Sequence, residues 1–136
     1  MRARVAEARV ARLATVTPEG SPHVVPICFA VVDDRIVSAV DEKPKTTTRL
    51  RRLENLRANP SVSLLVDHWD DDWSRLWWVR VDGRATVVDD GTASEVAPLL
   101  EALRAKYPRG YAEQQLAGPV VLIEPRRWTG WEAVPT

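Results

Sequence analysis

The sequence predicts a mainly β domain with peripheral α-helices, most economically a small closed β-barrel. Three observations carry that expectation. Segments of strand length that alternate or run apolar follow one another through most of the chain, giving the order β-β-β-α-β-β-α-β. Only two segments carry a strong helical stripe, too few to cover a doubly wound parallel sheet. The connections are rich in Asp, Gly and Pro, the chemistry of tight turns between antiparallel strands.

The chain is 136 residues long, which predicts a single domain over 1–136 with room for one substantial core. Nineteen Lys and Arg balance nineteen Asp and Glu, so net charge offers no argument for nucleic acid or an acidic membrane surface as partner. Charge is segregated nonetheless. Residues 41–60 hold six Lys or Arg against three acids, whereas Asp67, Asp70, Asp71 and Asp72 form an acidic loop. Local patches on a neutral chain suit a small charged ligand better than a long polyanion. One cysteine, Cys28, excludes an internal disulfide framework, and no apolar stretch approaches membrane-spanning length. With no apolar leader at the N-terminus, the expected location is the cytoplasm.

Residues 1–9 are expected to form a short helix. Ala11–Thr17 reads as a strand closed by the turn Pro18-Glu19-Gly20-Ser21. His23–Val32 is apolar on both alternating faces, which predicts one buried central strand. Pro26 inside it removes a ladder hydrogen bond, so it marks a bulge at a barrel corner, a flat backbone surface for a ligand ring, or both. Cys28 in this run is expected to be a buried small hydrophobe rather than a reactive thiol. Asp33-Asp34 leads tightly into the strand Arg35–Val40. After the basic segment come a strand at Ser61–Asp67, an acidic loop at Trp69–Arg75 and a long strand at Leu76–Val88. That strand puts Trp77, Val79 and Val81 on one face and Trp78, Arg80 and Asp82 on the other, with Gly83 marking a bulge. Asp89-Asp90-Gly91 turns into a second helix with Thr92 and Glu95 as a capping box and Val96, Leu99, Leu100 and Leu103 as its stripe. Tyr107–Gly110 ends it, a short helical piece is expected at Tyr111–Leu116, and a last strand at Val120–Glu124 precedes a tail bearing Trp128 and Trp131.

The basic segment Lys43–Pro60 is the most informative. Pro44 and Thr46–Thr48 read as a helix start, Asn59-Pro60 as its stop, and Leu50, Leu53 and Leu56 as a core-facing stripe. Lys45, Arg49 and Arg52 fall at i, i+4 and i+7, so three cations share one face. Cations near a helix start meet its partial positive charge and are mildly unfavourable there. Free N–H groups plus that stripe therefore suit a phosphate or carboxylate, the alternative being a solvated basic face. No Gly-rich phosphate loop supports a Walker or Rossmann mode.

No HxH, HExxH or CxxC spacing exists, so no metal site is expected, and His68 reads as a surface residue. No serine lies in a GxSxG elbow. Six tryptophans are a heavy allotment, with Trp69, Trp73, Trp77 and Trp78 within ten positions. Adjacent strand residues face opposite ways, so either Trp77 or Trp78 meets something other than its own core. A second subunit or a planar cofactor are the candidates.

The blocks ARLATVTPEGSPHVVPICF, RLRRLENLRANPSVSLLV and WWVRVDGRATVV together resemble the pyridoxamine 5′-phosphate oxidase-like family of split β-barrel flavoproteins, and most closely its branch that uses the deazaflavin F420. The resemblance implies an FMN-binding-protein-like split barrel, a homodimer, and two cofactor sites at the subunit interface. It implies that the strand at Pro26, Ile27 and Cys28 lies along the ring system, flanked by the strand holding Ser38 and Val40. Arg52 stands where family oxidases carry a phosphate-binding lysine, with Arg49 and Lys45 assisting; arginine offers a planar, bidentate phosphate contact. Trp77 or Trp78 would face the interface or the ring. Leu50 replaces the serine found before the basic pair in those oxidases, which weakens the case for pyridoxamine phosphate oxidation and for ordinary FMN binding. The cofactor supplies the hydride chemistry in such a protein, so no side chain is assigned a catalytic role. The function expected is hydride transfer between F420 and a small, fairly apolar acceptor. The rivals are FMN in the same site, a non-catalytic carrier of cofactor or tetrapyrrole, and a purely structural dimer.

Overall fold

The computed structural model describes residues 1–39, 47–111, 114 and 116–134, and the side chains of all of these except 47–50. Seven strands, β1 (Ala11–Val16), β2 (Pro22–Ile27), β3 (Ala30–Val32), β4 (Arg35–Ala39), β5 (Ser61–His68), β6 (Trp77–Val88) and β7 (Val120–Glu132), form one antiparallel sheet in the order β2-β1-β5-β6-β7-β4-β3. β2 and β3 are its two edges, yet only Cys28 and Phe29 separate them along the chain. Laid flat, a sheet of seven strands would hold its edges about 29 Å apart. The three-residue step from Ile27 to Ala30 spans at most about 11 Å. The sheet therefore curls into a half-barrel whose split is bridged by two residues.

This corrects the expectation of one central strand over His23–Val32. The run breaks at Cys28-Phe29 into two edge strands. Pro26 sits on the edge strand β2, opposite Arg12, where its missing N–H costs little. β2 also buries only one face: Val25 packs on the core while Val24 is 60% exposed. The turns match expectation. Asp33 and Asp34 both take positive φ (49° and 65°), the mirror-image geometry of a two-residue hairpin. Gly20 takes φ +89° in the turn that returns β1 into β2.

β6 and β7 are the backbone of the barrel. The tail expected after Glu124 is instead strand, so Trp128 and Trp131 lie on β7. The bulge expected at Gly83 exists, but the extra residue is Arg126 on β7, since Asp82 pairs with Arg127 and Gly83 with Pro125. A Cβ at Gly83 would sit 2.5 Å from the Glu124 carbonyl oxygen, which is why glycine stands there.

One core fills the barrel, with Leu13, Phe29, Ile36, Leu64, Val81 and Ile123 almost fully enclosed. Full burial of each such side chain stabilises the fold by roughly 1.5–3 kcal/mol. Helix α1 (Arg2–Glu7) contributes Val5, and Arg2 and Arg4 lie 4.7 and 4.8 Å over the Trp128 and Trp77 rings. Helix α2 (Thr47–Ala58) adds Leu53 and Leu56, and its buried Asn55 donates from Nδ2 to Thr15 Oγ1 at 3.2 Å. A second cluster lies between β3, β4 and helix α3 (Ala97–Lys106), around Leu99, Leu100 and Leu103. The capping box expected at Thr92 and Glu95 is not formed. Asp90 instead accepts from the Thr92 N–H at 2.9 Å and from its hydroxyl, and a 3₁₀ turn at Ser94–Val96 leads into α3. Helix α4 (Pro108–Tyr111) follows. No helix among the described residues is long and apolar enough to cross a membrane.

Candidate functional site

Strand alternation sends the residues between the core positions outward, and on β1, β5, β6 and β7 the outward set carries Ala14, Leu65, Trp78 and Trp131 among its polar residues. The register places Trp78 between Asp67 and Trp131, and Arg80 between Leu65 and Thr129. Together with Val24, His68 and Trp69 these side chains line a groove of about 570 Å³. Trp131 remains 49% exposed, and Trp69 and Leu65 are exposed beside it. Aromatic faces of this size leave a large apolar surface in water, the signature of a binding face.

Part of the groove's charge is matched internally. Ser63 Oγ donates to one oxygen of Asp82 at 2.5 Å and Arg80 Nε to the other at 3.3 Å, so that cation is matched. Arg12 on the same face forms no ion pair among the described residues. In the neighbouring acidic loop two carboxylates turn onto the loop's own backbone, and one of them, Asp70, also faces Arg75 and His68. Asp70 accepts from the Asp72 N–H, and Asp72 caps the 3₁₀ turn Trp73–Arg75 by accepting from Ser74, bonds that hold its carboxyl below the usual range. Among the described residues no group of three or more His, Cys, Asp or Glu could hold a metal ion.

The residues singled out in the sequence divide by face. Pro26 and Cys28 point outward at the open end of β2, while the Ile27 side chain is buried in the core and leaves only its backbone to that surface. Cys28 is exposed rather than the buried hydrophobe expected, because the chain leaves the sheet there to cross the split. Ser38 lies next to it: its Oγ donates to the Cys28 carbonyl at 2.8 Å, tying β4 to the break. Of the tryptophan pair, Trp77 packs on the core under Arg4 and stacks on His68 at 6.2 Å, whereas Trp78 takes the outward face. Arg52 is half-buried on α2 with its Nε shielded from solvent. Arg49 belongs to α2, but its side chain, like Val40 and Lys45, lies outside the described residues. The fold thus brings Pro26, Cys28 and Ser38 together and gives Trp78 a groove. Val24, Leu65 and Trp131 were not singled out. The spacing of Trp131 from Trp128 places the two on opposite faces of a strand, a signal readable only once β7 is known to continue.

The sequence profile described as pyridoxamine 5′-phosphate oxidase matches residues 1–132. No curated protein matches the chain. Solved structures share the fold. An FAD-binding protein from Mesorhizobium loti is 22% identical, with 95% of this chain and 87% of that one covered at a TM-score of 0.74. An F420 reductase is 20% identical, with 94% of each chain covered at 0.64. A heme-binding protein from Mycobacterium smegmatis is 18% identical, with 99% of this chain and 53% of that one covered at 0.76.

Proposed function

The chain belongs to the pyridoxamine 5′-phosphate oxidase family, and from that premise we propose that it is a homodimeric oxidoreductase which binds the deazaflavin F420 and passes hydride between it and a small acceptor. The observation that carries this reading is the outward apolar face. On it the large apolar side chains of Val24, Leu65 and Trp131 stand open to water in the single chain. A second copy seated there would cover them and wall off a dry slot beside the open end of β2.

The residues fit a flat cofactor with an acidic tail. Pro26 presents no N–H to a neighbour, Cys28 faces outward, and the Ser38 hydroxyl holds the break in shape. Arg52 is sheltered on α2, where partial desolvation strengthens a charge-assisted bond to a phosphate. The bound ring supplies the hydride chemistry. The chain's residues bind it, orient it through the backbone of 26–28, and keep water from its face. An F420 reductase and an FAD-binding protein of the same fold support a ring cofactor, with FMN as the alternative to F420. A second reading, a non-catalytic tetrapyrrole carrier, is favoured by the tryptophan-lined groove with Arg12 on its wall and by the heme-binding protein of this fold.

Titration with F420, FMN and haem, followed by tryptophan fluorescence, tests the reading. Saturable quenching by F420, with oxidation of its reduced form by quinones or enones, is the expected result. Binding of haem without F420 would favour the carrier, and no quenching by any of the three would remove the proposal.

A further inference from the structure

Away from the apolar groove, a second cavity of about 450 Å³ opens between the Cys28 break and the start of α4, lined by Arg9, Cys28, Tyr107, Arg109 and Gln114. Its charge is one-sided. Arg2, Arg4, Arg57, Arg75, Arg80 and Arg104 each reach a carboxylate. Arg9, Arg109 and the adjacent Lys106 reach none among the described residues, and no described acid lines the cavity. Arg9 is fixed in place. Its guanidinium lies 4.7 Å over the Tyr107 ring and donates from Nη2 to the Lys106 carbonyl at 2.9 Å. Tyr107 is fixed in turn: its Oη accepts the Phe29 N–H at 3.1 Å and sits 3.0 and 3.1 Å from the carbonyls of Phe29 and Arg9, one of which takes its proton. Behind them the Lys106 ammonium is enclosed 3.9 Å over the Phe29 ring, with no hydrogen-bond partner among the described residues.

Cations crowded this way repel one another, and burial together with Arg9 pushes the Lys106 amine down to about 8. We propose that this cavity is a binding site for the carboxylate of a small organic acid. The planar fork of a held arginine matches a carboxylate in two parallel bonds, and an anion there would relieve the repulsion between Arg9 and Lys106 and give Arg109 a counter-charge. The subsite stands on its own residues. Joined to a ring lying along Pro26–Cys28, it selects an acceptor with an acid group on an apolar body, and that second step rests on the proposed function.

Cys28 is the single thiol of the chain and sits on the cavity wall, so it reports occupancy with no cofactor present. Alkylation of the full chain by anionic iodoacetate and neutral iodoacetamide gives a rate ratio to set against a free thiol. The expected ratio exceeds that of the free thiol several-fold and falls toward it in Arg109→Gln, a change at an exposed position. Benzoate should slow the reaction saturably, whereas benzamide, and chloride at equal ionic strength, should not. A ratio equal to the free thiol's, or protection by benzamide or chloride as good as by benzoate, overturns the site. Neither result bears on whether F420 binds.

Discussion

Placing a carboxylate at Val24 should break the proposed dimer while sparing the single chain. Val24 lies on the edge strand β2, 60% exposed on the apolar face and paired with Ala14 of β1. Burying a valine fully is worth about 1.5–3 kcal/mol, so roughly 1–2 kcal/mol of that remains to be gained when a partner covers this position. Twofold symmetry doubles the loss to about 2–4 kcal/mol, a factor of roughly 30 to 1,000 in the dimer dissociation constant. Two desolvated carboxylates add to the penalty. Within the single chain the same substitution costs on the order of 1 kcal/mol, the span of strand propensities at a half-open position. Sedimentation velocity over a dilution series of wild type and Val24→Asp reads the association directly, and thermal unfolding of dilute protein reads the chain itself. The reasoning fails if wild type sediments as a single chain at every concentration. It fails equally if Val24→Asp associates as tightly as wild type.

Arg52→Ala should weaken cofactor binding by about 1.5–3 kcal/mol, the range for a hydrogen bond to a charged group; an unchanged fluorescence titration would remove α2 from the cofactor site. Gly83→Ala should destabilise the chain by about 1–3 kcal/mol in a denaturant titration, because the new methyl meets the Glu124 backbone rather than a side chain that can yield. Lys106→Met should flatten a pH dependence. The wild-type amine is depressed to about 8 against 10.5 unfolded, so between those values the unfolded chain holds more protons and stability rises with pH. Tyr107 opposes this above pH 10, since its folded pKa is raised, so the rise belongs between pH 8 and pH 10. Melting temperatures that climb equally in wild type and Lys106→Met would contradict the assignment.

Much of the barrel was legible because its signals are local. The alternation of β6, the two-residue hairpin at Asp33-Asp34 and the leucine stripe of α3 each need only their own neighbours. What failed was either competition or distance. Asp90 won the turn that Thr92 and Glu95 were expected to cap, because an Asp side chain reaches the N–H two residues on whether or not a helix has begun. β7 was cut short at Glu124 because the bulge at Arg126 reverses its inward–outward parity, so Trp128 and Trp131 fall out of the pattern set by Val121 and Ile123. The Tyr107 hydroxyl joins residues 78 and 98 positions away, which no spacing rule reaches.

The misreading of His23–Val32 is the most instructive, because its composition was read correctly and its geometry was not. An apolar run on both alternating faces was equated with a central strand, which assumes that the chain covers both faces itself. A sequence records how apolar a strand is and not whose atoms lie against it. β2 is an edge, Val24 and Pro26 are open, and Ala14, Leu65, Trp78 and Trp131 continue the same outward surface across four further strands. Such a face costs solubility and favours edge pairing unless something covers it. The charges constrain what that can be. Asp82 is matched by Arg80 and Ser63, so that part of the face can be covered without stranding a charge, whereas Arg12 and Asp67 call for polar groups on whatever covers them. The open side chains of Val24, Leu65, Trp69 and Trp131 on one face therefore favour a partner that covers them with apolar groups of its own, and Val24→Asp places a charge within that contact.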